Sequence, residues 1–181
     1  MAARTQTLLV DVAVSAEWKR ALRMAAAVCK RAAAAAFEAA PTRRKPKAPL
    51  AEVAIVLTSD AAVKKLNAAY RGKNKPTDVL SFSAWTGGPA GAQEAVLGDV
   101  VIAKGVAACD AKSENKALDE HLAHLVVHGV LHVLGYDHEQ DADAGAMERL
   151  EISVLKTLGI ANPYVARTDS GPARRQKARR R

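Results

Sequence analysis

Large side chains for a core are scarce in this chain. Its 181 residues include two phenylalanines, two tryptophans and three tyrosines, so aromatics are 4% of a sequence that is 49% hydrophobic. Much of the apolar remainder is alanine, which predicts a helix-rich core of small side chains. Cysteine is scarcer still: only Cys29 and Cys109 occur, with no Cys-x-x-Cys pair and neither of them near a histidine. That excludes a disulfide scaffold and a cysteine-rich structural metal site, and two buried, reduced thiols are expected, as suits a cytoplasmic compartment. No apolar run approaches the roughly 18 residues a membrane span needs. Nor does the start of the chain carry the apolar stretch of about 7–15 residues of a secretory signal. The expectation is a cytoplasmic protein without a membrane partner.

The net charge is +8, but it is unevenly placed. Arg167 to Arg181 holds seven basic residues and one acid, which leaves 20 basic and 18 acidic residues in the body. One domain over 1–166 is therefore expected, followed by a basic tail, 167–181, that cannot bury apolar surface and should be disordered. The tail reads equally well as an anchor on nucleic acid, by phosphate neutralisation, and as a solubilising terminus.

Along the body, Leu8, Val10, Val12 and Val14 alternate with more polar residues as in a strand. Trp18, Leu22, Cys29, Ala33 and Phe37 then fall near one face of a single long helix that must stop before Pro41. A proline-punctuated basic loop, 41–49, leads to a strand over 52–57. Ser59 or Asp60 caps a helix showing Val63, Leu66 and Tyr70 on one side. Short strands are expected at 79–82 and 96–103, the latter interrupted at Gly98 and Asp99. Helices over about 114–134 and 140–158 follow, the second ended by Gly159. The order β-α-β-α-β-β-α-α predicts an α+β layer fold, a small mixed sheet of about four strands covered by helices.

All five histidines lie between 121 and 138. His128 and His132 are four apart on a predicted helix, so their rings project from one face, a turn apart. Gly135 lets the chain leave the helix, and His138 can swing back as a third ligand. Three neutral nitrogens leave a tetrahedral position open, the arrangement of a catalytic rather than a structural zinc. His121 and His124 are at most supporting or substrate-facing, and a plain packed or solvated role suits them as well. The spacing also matches the zinc-protease pattern His-Glu-x-x-His-x-x-Gly-x-x-His, except that the general-base glutamate is replaced by Gly129. Proteolysis is disfavoured on that ground. Met147 is more simply core than a methionine turn.

The stretch His128-Gly-Val-Leu-His-Val-Leu-Gly-Tyr-Asp-His138 resembles the signature of the YbeY family of bacterial endoribonucleases. Leu66-Asn-Ala-Ala-Tyr-Arg-Gly-Lys-Asn-Lys-Pro-Thr-Asp-Val-Leu-Ser-Phe82 and Leu97-Gly-Asp-Val-Val-Ile102 agree with it in the same order. Asn74 and Ala84-Trp85 depart from the usual pattern, away from the proposed ligands. The resemblance implies a metal-dependent, single-strand-specific endoribonuclease of ribosomal RNA, acting near the small-subunit 3′ end and in ribosome quality control. It implies one zinc per chain on His128, His132 and His138, and a functional role for Arg71. The partners it implies are ribosomal RNA and particles, ribosomal proteins and an Era-type GTPase.

Arg71, Lys73 and Lys75 place three cations within five residues of a loop; by themselves they read more simply as an exposed basic loop, and with the resemblance they suit gripping phosphate. The general base and the nature of the product ends stay open, as does the oligomeric state. The alternative is a non-enzymatic ribosome-assembly factor that binds RNA and uses its metal structurally. Removing a structural metal should unfold the protein, whereas removing a catalytic one should not.

Overall fold

The computed structural model describes residues 6–85, 91–136 and 141–165, with side chains from 144 onward in the last segment. The expectations for the basic tail and for His138 fall outside these residues. The described chain runs β1 (Thr7–Val14), α1 (Ala16–Ala21), α2 (Ala25–Ala39), a 3-10 turn (Thr42–Arg44), β2 (Leu50–Thr58), α3 (Asp60–Arg71), β3 (Val79–Ser83), β4 (Glu94–Ala103), α4 (Lys104–Ser113), α5 (Leu118–Val133) and α6 (Asp141–Thr157). The four strands form one mixed sheet in the order β1-β2-β4-β3. β1, β2 and β4 are parallel, and β3 closes the edge antiparallel to β4. This is the expected α+β architecture. Among the described residues no helix is long and apolar enough to cross a membrane.

Strand alternation sorts the side chains to the two faces of the sheet. Val100 and Ile102 of β4 enter the main core with Val53, Ile55 and Leu57 of β2, while Val101 and Ala103 turn to the other side. Leu8, Val10, Val12 and Val14 pack against the main core, and Leu9 on the opposite face of β1 is 50% exposed. The main core fills the space between the sheet, α2, α5 and α6. In α2 the buried face is Ala25, Val28, Cys29, Ala32, Ala33, Ala36 and Phe37, so this helix packs mostly through small side chains. α5 is the central helix. Ten of its sixteen residues are buried, and a helix so apolar around its circumference belongs inside. The smaller core, Val63, Leu80, Val101 and Ala103, lies under α3.

Four expectations need correction. The first predicted helix is two helices, because Leu22 is extended (φ −147°, ψ 100°). The break lets α1 follow β2 while α2 follows β1, α5 and α6, which one straight rod could not do. The strand expected to be interrupted at Gly98 is continuous. Its irregularity is a register shift, Glu52 pairing with Val96 and Val53 with Gly98. An additional helix, α4, precedes α5, and α5 begins at Leu118 rather than 114. Only Ala107 and Ala111 of α4 are buried, too little to print a periodic pattern. Its first turn is capped from far away, with Asp60 Oδ1 accepting from the backbone N–H groups of Gly105 (2.6 Å) and Val106 (3.2 Å). Finally, both thiols are free but only Cys29 is buried, and Cys109 is exposed. Burial pushes the Cys29 thiol up to about 12.

Candidate active site

The polar residues come from the end of α3 and the loop after it, from β3 and from α5. Ser59 caps α3 by accepting from the Ala62 N–H, at 3.3 Å. The helix ends at Gly72, whose φ of +66° is a left-handed conformation that costs glycine little. Buried Asn67 then fixes the loop. Its carbonyl accepts from the N–H groups of Gly72 and Lys73, and its amide donates to the Lys75 carbonyl at 2.7 Å. Arg71 and Lys73 are thereby held at the mouth of a cleft of about 810 Å³. Asp78, Ser81 and Ser83 from β3 and the loop before it line the cleft together with His128, His132 and Tyr136. The structure therefore brings Arg71, Lys73, His128 and His132 together. Lys75 is exposed and does not line this cleft. Asp78 is a cleft carboxylate that sequence reading did not single out.

α5 places the two histidines as their i, i+4 spacing requires. His132 Nε2 and His128 Nε2 are 3.1 Å apart. Two nitrogens bound at about 2.0–2.1 Å to one tetrahedral zinc would lie about 3.3 Å apart, so this pair has the spacing of ligands that share an ion. Among the described residues no group of three or more His, Cys, Asp or Glu side chains could hold a metal. The expected third ligand, His138, lies outside them. The turn leading to it starts as foreseen: Gly135 has φ +82°, and its N–H bonds to the His132 carbonyl at 2.9 Å. Arg44 braces this turn, donating to the Gly135 carbonyl and stacking 4.2 Å over the Tyr136 ring.

The residue that breaks the protease pattern has a packing reason. A Cβ at Gly129 would fall 2.5 Å from Val100 Cγ1 and 3.2 Å from Ser81 Oγ. α5 lies too close to the sheet here for any side chain, least of all a glutamate.

Behind the histidines stands a residue that the sequence reading missed. Glu151 of α6 is 1% exposed, and its Oε1 lies 2.7 Å from His128 Nδ1. Its Oε2 accepts the Tyr164 hydroxyl and is 3.6 Å from His124 Nε2. Burial works to raise the Glu151 carboxyl, but the contacts of His124, His128 and Tyr164 outweigh it and hold it at about 2. Tyr164 is pushed up by its own burial and by that carboxylate. His121 is buried, and burial lowers its pKa. It lies 4.0 Å from Glu114 and does not reach the cleft. The signal for Glu151 was a lone acid within the apolar stripe of α6, beside Leu150 and Val154.

Residues 14–159 match the family described as Endoribonuclease YbeY. The chain belongs to the YbeY endoribonuclease family. An Endoribonuclease YbeY of Parvibaculum lavamentivorans is 54% identical over 123 residues, covering 64% of this chain and 66% of that one. The Endoribonuclease YbeY of Sphingopyxis alaskensis is 44% identical over 166 residues, 87% of this chain and 97% of the relative. Among solved structures, the solution structure of TM1509 from Thermotoga maritima shares the fold, with a TM-score of 0.53 at 21% identity. It covers 82% of this chain and 87% of its own. The YbeY match takes in α1 through α6, and with them every residue of the cleft.

Proposed function

We propose that this protein is a zinc-dependent endoribonuclease that cuts single-stranded RNA in ribosomal RNA maturation, at the small-subunit 3′ end, and in ribosome quality control. One observation carries the reading: in a member of an endoribonuclease family, a pair of histidines with ligand spacing and two cations share one open cleft. His128, His132 and His138 are the residues that would hold one zinc per chain. When bound, the ion supplies Lewis acidity that draws charge from a phosphate oxygen.

The remaining steps belong to side chains. Arg71 offers a planar fork of donors that grips the scissile phosphate by two hydrogen bonds and steadies the charge developing on it. Lys73 attracts a neighbouring phosphate as a point charge. Lys75 stands outside the cleft, and its place on RNA is beyond the cut. Ribosomal proteins and an Era-type GTPase are the protein partners this reading entails, with a cytoplasmic location.

Replacing Arg71 by alanine tests the clamp. The variant should keep its zinc and its thermal stability and lose about 10²–10³-fold in cleavage rate, the usual scale for removing one such donor. Full activity in a zinc-loaded Arg71→Ala protein would sink the clamp. The peptidase alternative is weakened by the packing at Gly129, which leaves no room for that family's base.

A further inference from the structure

A buried carboxylate needs an explanation, because taking an ionised carboxyl out of water without partners costs several kcal/mol. Glu151 is fully enclosed, yet each of its oxygens faces a donor. Tyr164, from the turn after α6, grips Oε2, while Oε1 lies 2.7 Å from His128 Nδ1. The consequence falls on the opposite nitrogen of that ring. A neutral imidazole that donates through Nδ1 carries its lone pair on Nε2. It is this Nε2 that faces His132 Nε2 across 3.1 Å at the cleft wall. His124 Nε2, 3.6 Å from Oε2, adds a third group around the carboxylate.

Resting on the metal-ligand reading of His128 and His132, we propose that Glu151 is a positioning residue for that site. Its carboxylate holds the His128 Nδ1 proton, turns the Nε2 lone pair into the cleft and raises its basicity. Tyr164 fixes the carboxylate in turn. The 163–165 turn thus becomes part of the metal site's support, although neither Glu151 nor Tyr164 touches the cleft. Supports of this kind govern metal affinity through the ring they hold.

The wild-type full-length chain answers first, without mutation. Nitrogen-15 NMR of the zinc-free protein should show the neutral form of the His128 ring with its proton on Nδ1. A proton on Nε2 overturns the proposal. Zinc affinity is then measured by chelator competition for wild type, Glu151→Gln and Tyr164→Phe. Glu151→Gln should bind zinc about 10–100-fold more weakly, and Tyr164→Phe should be weakened less, in the same direction. Tyr164 is 48% exposed, so its variant folds even if Glu151→Gln does not. Affinities within about twofold of wild type in every folded variant overturn the role, being far short of the loss expected of such a support. A wild type that takes up no zinc refutes the ligand reading itself, and the positioning role with it.

Discussion

Gly129→Ala adds one methyl group where α5 crosses the sheet, and two effects of opposite sign compete there. Helix propensity favours alanine over glycine by about 0.8–1 kcal/mol. Against that, the new Cβ would sit 2.5 Å from Val100 Cγ1 and 3.0 Å from Cγ2. Carbon atoms make contact at roughly 3.5–4.0 Å, so the overlap is about 1 Å or more. Val100 is completely buried in β4, and its branched side chain is stiff, so it cannot swing clear. The helix must lift from the sheet, at the upper part of the roughly 1–3 kcal/mol that overpacking costs. Packing therefore wins, leaving the variant about 1–2 kcal/mol less stable, a fall in Tm of about 2–8 °C for a chain of this size. Thermal unfolding of the zinc-free protein followed by circular dichroism reads this directly. A Tm equal to or above wild type would refute the close-packing account, because propensity alone predicts a rise. Gly129→Glu, which restores the protease motif on paper, should be more disruptive and gain no peptidase activity.

Other consequences are open to simple tests. Asp60→Ala removes the cap of α4 and should cost about 1 kcal/mol, seen as a lower urea midpoint at unchanged slope; an unchanged midpoint contradicts the capping role. A thiol reagent should label Cys109 readily in the native protein and reach Cys29 only on unfolding, and rapid double labelling would count against the buried site. The same burial sets an alkaline dependence. Cys29 keeps its proton up to about 12 when folded, against an ordinary value of 9.0, so the unfolded chain ionises first. Its contribution is intact below pH 9 and is lost as pH rises from there toward 12, by up to about 1.4 kcal/mol per unit. Cys29→Ala should flatten that decline, and equal slopes would contradict it.

Period-2 alternation in β1 and β2 and the Ser59 cap were legible in the sequence, because local pattern and tertiary burial agree there. The pairing of His128 with His132 and the left-handed Gly135 were legible for the same reason, since helix geometry and glycine's freedom are local rules. What stayed hidden depends on partners distant in sequence. α4 is held by Asp60, 45 residues earlier, and by two alanines that print no periodicity. The break at Leu22 follows from α1 and α2 packing on different strands. Lys75 looked equivalent to Arg71 and Lys73 by spacing, but the Asn67 bond to its carbonyl belongs to a turn that carries its side chain off the cleft. Glu151 was the hardest to see. Nothing within its own helix shows that His128 lies opposite it, 23 residues away in sequence.

If metal and cleavage belong to one site, His132→Ala should remove both at once. Bound zinc and cutting of a single-stranded ribosomal RNA fragment should be measured side by side for the wild type and this variant, with folding checked by circular dichroism. The account predicts about one zinc and cleavage in wild type, as a three-nitrogen site requires, and loss of both in a variant that remains folded. If both proteins bind the RNA and neither cuts it, even with ribosomal particles present, the enzyme reading is contradicted. An RNA-binding assembly factor would then take its place.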